Sequence, residues 1–409
     1  MSPVLDGIRV VELGSGALSP QPGQTLGDLG AEVVKVEHGA RGDALRPVDR
    51  QAVDNDLMAP AFAAANRNKR SICVDLATPG GEDVVRRLVE RADVLLHDHG
   101  APCIERLALG HADLAGGHPR LIHASISSAG SIGSTAAPSG HELLAQATSG
   151  LTHTGCGRGG HLPRSLPGTP VIYAASALLV QGILGALLER GRSGRGQEVT
   201  VSLFDTALAM QGSEVASLSM YGRSPGWDDL GYRATFTTRD GTVTVVGVVD
   251  ADALGPLCRE LGVDDLTERA EFSTPYLQAR NGEAATALLA PAVAELTNLQ
   301  ALEVFETAGL ACAPRLGLRT LLDGSSVGAG PLLVDVDVAG QPAAQLPRHP
   351  VRMSRSRAQT GRGVPALGQD TENVLAELGF VPGEIRALAG VGAIRPDADR
   401  EIRSAANYV

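Results

Sequence analysis

Aromatic residues are scarce in this chain: one Trp, five Tyr and six Phe among 409 residues. That leaves no stacking platform for nucleic-acid bases and a core to be packed from Ala, Val and Leu. Basic residues are also in deficit, 35 Lys and Arg against 46 Asp and Glu, for a net charge of −11. Such a balance lacks a basic footprint, so no nucleic-acid partner is expected. Cysteine is limited to Cys73, Cys103, Cys156, Cys258 and Cys312, with no Cys-x-x-Cys pair. The odd number and the scatter exclude a disulfide scaffold and a zinc cluster, and fit a reduced, cytoplasmic protein. The start, MSPVLDGIRVVEL, lacks the basic-then-apolar pattern of a signal peptide. No apolar run reaches membrane-spanning length, since the most apolar, Ala174 to Leu188, is short and holds Gln181, so no membrane partner is expected. The most telling absence is local: from His161 to Leu188, 28 residues, there is no Asp or Glu.

What is present is an alternation of short β-branched runs and helical patterns. Strands are expected at Ile8 to Glu12, Glu32 to Glu37, Ser71 to Leu76, Asp93 to Leu96 and Leu121 to Ser125, with helices at Gln21 to Gly30 and Gly80 to Arg91. Strands separated by helices imply βαβ units and a mostly parallel sheet covered on both faces. Ala174 to Arg190 reads as a buried helix, followed by a strand at Glu198 to Leu203 and a helix beginning at Asp205. From about Tyr221 the character changes: Tyr232 to Thr238, the turn Arg239-Asp240-Gly241 and Thr242 to Val249 read as an antiparallel hairpin. The expected organisation is α/β: a doubly wound large domain over 1–221, a small α+β domain over 222–325, and a linker and return to the large domain over 326–409. The polar, Pro-rich stretch Gly340 to Gly363 is read as linker.

Seven segments in order carry a resemblance. They are LDGIRVVEL (5–13), LGDLGAEVVKVEHGARGDALR (26–46), NRNKRSICVDLATPGGEDVVRRLVERADVLL (66–96), ERLAL with HPRLIHASIS (105–127), GHELLAQATSG (140–150), GILGALLERGRSGRGQEVTVSLFD (182–205) and PALGQDTENVLAELGF (365–380). Together they resemble the class III CoA-transferases, which include formyl-CoA transferase, carnitine CoA-transferase and α-methylacyl-CoA racemase. The resemblance implies a Rossmann-like large domain and a small domain in an interlocked homodimer. It also implies an acyl thioester substrate on coenzyme A, with no permanently bound cofactor and no metal. A carrier protein presenting the thioester is the alternative partner.

The same resemblance implies roles for residues. The cluster Asn66-Arg67-Asn68-Lys69-Arg70 matches a segment lining the CoA nucleotide pocket, so Asn68, Lys69 and Arg70, with Arg46 and Arg106, are candidate phosphate donors. Each also reads as a solvated turn or an ion-pair partner. His38 stands where relatives carry an adenine-contacting residue. His97-Asp98-His99-Gly100 replaces a loop that approaches the pyrophosphate; its two histidines lack a third ligand for a metal. Gly140-His141-Glu142 matches the segment whose histidine takes the α-proton in the racemase branch, work suited to an imidazole. The family aspartate falls in the acid-free stretch, at Tyr173 in one register and at Ile172 or Val171 in the other. A tyrosine there is a hydrogen-bond donor or weak acid, not an acyl acceptor, or else a core aromatic. Cys156 is a bystander, and Ser224 to Gly231 lacks the glycine run that covers a transferase intermediate.

Three readings follow. In the first, His141 performs α-proton chemistry on an acyl thioester, with Glu142 and Tyr173 beside it, giving racemisation, isomerisation or elimination. In the second, the protein transfers CoA using another carboxylate, Glu142. In the third, it binds a thioester or a partner without catalysis.

Overall fold

The computed structural model describes residues 3–396, apart from 15, 17, 40, 56, 129–140, 153–164, 224–230, 248–250 and 324–331. Cys156 and nearly all of 224–231 therefore lie outside the described residues. The chain forms two compact units, 1–211 with 331–409, and 212–330.

The first unit is built on six parallel strands: β1 (Arg9–Leu13), β2 (Glu32–His38), β3 (Lys69–Val74), β4 (Val94–His97), β5 (Ile122–Ser127) and β6 (Glu198–Ser202). Their order is β3-β2-β1-β4-β5-β6. The β-branched runs form strands because both faces are buried: Val10, Val33, Leu96 and Ile122 point into one apolar cluster, while Val11, Val34, Leu95 and Val84 meet in another. Helix α1 (Pro20–Asp28) and the long helix Pro170–Ser193 cover the first face. The helix Pro79–Glu90, begun by Thr78 accepting from the Gly81 amide, covers the second.

The long helix exceeds the apolar run that announced it. At 24 residues it is long and apolar enough to cross a membrane by length and composition, contrary to the sequence expectation. Its apolarity has a local cause: Val171, Ala175, Leu179, Ile183 and Ala186 are buried in the core of the first unit.

The end of the chain finishes this sheet. At the β3 edge, the Ser71 amide donates to Asp370 Oδ2, the Cys73 amide to Thr371 Oγ1, and the Arg395 amide to the Cys73 carbonyl. The unpaired edge of β3 is thus covered. The stretch expected to be linker holds an antiparallel hairpin, β10 (Leu333–Val338) and β11 (Gln341–Pro347), whose Val336 and Val338 pack with Phe62 and Val364. In the second unit, β7 (Arg233–Thr237), β8 (Thr242–Val246) and β9 (Ala311–Pro314) form an antiparallel sheet. Phe236 stacks on Phe305 within its core, with ring centroids 5.5 Å apart.

On the α1 face of the large sheet the apolar rule is broken. Glu12, Lys35, Lys69, Asp43 and Glu37 are at most 1% exposed. Lys35 Nζ lies 2.7 Å from Glu12 Oε1 and 2.6 Å from Asp43 Oδ2, and Lys69 Nζ 2.8 Å from Glu12 Oε2. Burial opposes the charged form of Glu37, but Arg46 outweighs it and holds its pKa at about 2. Removing one partner from such a network strands the others. Lys35→Met is therefore expected to destabilise the large unit by about 3–5 kcal/mol, read as a lower urea midpoint of the far-ultraviolet signal.

Candidate functional site

Strand order reverses between β1 and β4, whose carboxyl ends, Leu13 and His97, stand opposite each other. In doubly wound sheets this crossover is where ligands bind. The His97 ring is 4% exposed, and neither of its ring nitrogens has a hydrogen-bond partner. It lies edge-on to His123, centroids 4.9 Å apart. Burial, reinforced by His123 and His99, pushes the His97 pKa down to about 3.

The basic segment expected to serve phosphates faces inward. Arg67 donates two hydrogen bonds to Asp28, of 2.9 and 2.6 Å. Asn68 adopts a left-handed conformation, φ 62°, and its side-chain amide bridges Asp28 and the Gln359 carbonyl. Lys69 Nζ has three acceptors: Glu12, the Pro20 carbonyl and Asn66 Oδ1. Burial pushes its ammonium down to about 8, against the pull of Glu12. Arg70 grips Glu377 with both Nη atoms and also reaches Glu32. Arg46 makes a two-point contact with Glu37 and lies over the Phe62 ring. Of the candidate phosphate donors, Arg106 alone keeps its side chain largely in solvent, 55% exposed and 3.9 Å from Glu82. The partners of Lys69 and Arg70 are carboxylates remote in sequence, that of Arg46 lies nine residues away, and a phosphate would have to displace them.

Of the three residues marked for catalysis, the structure ties Glu142 to the start of the long helix that carries Tyr173. His141 caps the short helix Glu142–Thr148, its Nδ1 accepting from the Leu143 amide at 3.3 Å. Glu142, 5% exposed, points the other way and closes the start of the long helix. Its Oε1 accepts from the Val171 amide at 3.0 Å and its Oε2 from the Ile172 amide at 2.8 Å. Thr169, the residue in the capping position, makes no side-chain cap there. A buried carboxylate thus satisfies the orphan amides at the positive end of the helix. Gln146, one turn along from Glu142, donates to Oε1 at 2.7 Å and accepts the Leu166 amide. Sequence reasoning passed over Gln146, although its i, i+4 spacing from Glu142 was a signal. His141 is the chain neighbour of Glu142, and Tyr173 follows the clamped Ile172 amide. His141 is exposed and Tyr173 is 52% exposed. Glu142 itself is engaged on both oxygens.

Strand order and crossover define a doubly wound α/β protein. The model of CoA-transferase family III matches residues 5–371, and the chain belongs to that family. An acyl-CoA transferase of Fusarium pseudograminearum is 31% identical over 399 residues, covering 92% of this chain and 85% of its own. Human α-methylacyl-CoA racemase is 29% identical over 398 residues, covering 94% and 96%. The crystal structure of a CAIB/BAIF family protein from Brucella suis matches with a TM-score of 0.81 at 27% identity, over 92% of this chain and 100% of that one.

His97 makes stability depend on acidity. Its folded pKa lies below the ordinary value of 6.5, so between pH 6.5 and 3 the unfolded chain carries the extra proton and stability falls as pH falls. Its share is about 1.4 kcal/mol per pH unit. Urea unfolding of His97→Leu between pH 6.5 and 5, above the carboxylate range, should show a slope shallower by about that amount.

Proposed function

We propose that this family member acts on an acyl thioester of coenzyme A by α-proton chemistry rather than by forming an acyl-enzyme. The observation that carries the reading is the Glu142 clamp. It ties Glu142, next to His141, to the Val171 and Ile172 amides, next to Tyr173, and so engages both of its own oxygens. The stretch from His161 to Leu188 supplies no other carboxylate to attack a thioester. An exposed imidazole and an exposed phenol, each one residue from the clamp, supply the two groups enolisation needs: one to move the α-proton and a donor toward the thioester oxygen. Kinship to a racemase as well as to an acyl-CoA transferase agrees with that chemistry.

The resting His141 ring accepts from the Leu143 amide at Nδ1, so its neutral form carries the proton on Nε2. To take the α-proton at Nε2, the ring must give up that long bond, at a cost of roughly 1 kcal/mol. Tyr173 then serves as the donor to the thioester oxygen, and Glu142 is a positioning residue. Coenzyme A is bound as substrate, with no permanent cofactor. The cytoplasm fits five scattered cysteines without a Cys-x-x-Cys pair.

The experiment is solvent exchange. In deuterium oxide, a 2-methylacyl-CoA should gain deuterium at its α-carbon. His141→Ala should abolish the exchange by about 10²-fold or more, and Tyr173→Phe should retain a measurable part. A hydroxylamine-sensitive acyl adduct on Glu142, without α-exchange, would instead establish CoA transfer.

The functional particle in this reading is a homodimer. The helix Gly212–Tyr221 buries none of its residues, leaving Leu218, Met220 and Tyr221 more than half exposed. In the first unit Leu188 is exposed as well. Apolar side chains exposed in that number mark an interface. Light scattering should give twice the chain mass, and Leu218→Asp with Met220→Asp should shift it to one.

A further inference from the structure

Two cavities of the first unit differ in how their charges are matched. One, of about 360 Å³, is lined by Arg9, Arg70 and Arg91 but also by Glu32 and Glu377, and Arg70 pairs with both carboxylates. The other, of about 80 Å³, is lined by His111, His118 and Arg195 and by no Asp or Glu. In a chain of net charge −11, a basic cavity without an acid in its wall leaves room for a negative charge from outside.

This second cavity lies where the chain enters β5 and β6, at the opposite end of those strands from Ser127 and Ser202. Two turns meet there. The turn before β5 is closed by the Leu121 amide donating to the His118 carbonyl, and the His118 amide donates to the Leu114 carbonyl. The loop that leaves the long helix is left-handed at Gly194, φ 75°, and its Gly196 amide donates to the Pro119 carbonyl at 2.8 Å. Only glycine fits at 196, since a methyl group there would lie 2.0 Å from the Leu121 carbonyl oxygen. That close approach puts Arg195 and His118 in the lining of one cavity. His111, the first residue of the short helix His111–Leu114, completes it, with its ring centroid 6.1 Å from that of His123.

The carboxyl end of the long helix, which also lies here, favours a cation. Arg120 meets that demand by donating to the Gly194 carbonyl at 3.3 Å. Arg195 is exposed and makes no ion pair among the described residues, and the half-buried His111 and His118 rings have no hydrogen-bond partner among them. A guanidinium offers a fork of N–H donors, and each imidazole offers a further one. The complement of donors arriving from three segments is a tetrahedral oxyanion, whose acceptors face several directions at once.

We infer that this cavity is a phosphate site, with Arg195, His118 and His111 as its donors. The phosphate is free or part of an ester, and it ties together the two turns and the short helix. Binding to the folded chain alone stabilises it by mass action. The site takes no part in the thioester chemistry and holds whatever the reaction at His141.

The test is titration calorimetry of the full-length protein with inorganic phosphate, set against Arg195→Gln, His118→Asn and Arg106→Gln, each verified as folded by circular dichroism. Arg106, the exposed candidate for the phosphates of coenzyme A, controls for binding elsewhere. Saturable binding is expected, weakened about tenfold or more in Arg195→Gln, several-fold in His118→Asn, and unchanged in Arg106→Gln. Phosphate should also raise the melting temperature of the natural protein more than that of Arg195→Gln. Glycerol 3-phosphate separates the sources: binding as tight as phosphate or tighter assigns the site to an ester, and weaker binding assigns it to the free ion. Either supports the inference when Arg195→Gln weakens it. No saturable binding of either probe, or an affinity that Arg195→Gln leaves unchanged, overturns it.

Discussion

Five ionised side chains without solvent contact lie in one seam across β1, β2 and β3: Glu12, Lys35, Glu37, Asp43 and Lys69. Arg46, nearly buried, brings the seam to neutrality. Taking these groups out of water is expensive, and an apolar seam of the same volume would hold the sheet at least as well. The polar one constrains more than stability. Each charge has one arrangement of partners that satisfies it, so strand register, the approach of α1 and the course of the loop at Asp43 are fixed together. Gly23 shows how closely: a methyl group there would lie 1.9 Å from Glu12 Oε2. Because Lys69 of the seam also donates to the Pro20 carbonyl, the seam ties the start of α1 to the sheet.

The Glu142 clamp extends the same logic to the reacting end. A helix start needs acceptors for its first amides, and here they come from a carboxylate roughly thirty residues earlier. One side chain thereby joins two helices and gives His141 and Tyr173 a common frame. The family membership is secure on the matched length alone. The chemistry proposed for this member follows from how its carboxylates are engaged: Glu142 by amides, Glu12 and Glu37 by cations.

The strands of the large unit were legible because each is buried on both faces and so reads as an apolar run. The parts that sequence does not show depend on remote partners. The long helix begins at Pro170, four residues before the apolar run, since its cap comes from Glu142 rather than from an adjacent serine or threonine. The hairpin 333–347 is only half buried and carries Asp335, Pro342 and Gln345, a composition that reads as linker. The segment 66–70 looks like a ligand patch because the carboxylates that engage it lie far along the chain; Arg70 and Glu377 are 307 residues apart. His141, Glu142 and Tyr173 were found by register with a family, but their joining through backbone amides had no trace in composition or periodicity.

The edge of β3 is covered by residues 370–395, so the large unit depends on a segment synthesised about three hundred residues after the strand it covers. At about 5–20 residues per second, roughly three hundred residues of synthesis separate β3 from its cover. During that interval Arg70 lacks Glu377 and the Ser71 amide lacks Asp370, while residues 212–330, a compact unit of their own, have already emerged. The nascent sheet waits with an open edge and an unfinished charge pattern. Premature termination anywhere before Thr371 would leave that exposed strand in the product, a substrate for chaperones and for aggregation rather than a shortened enzyme.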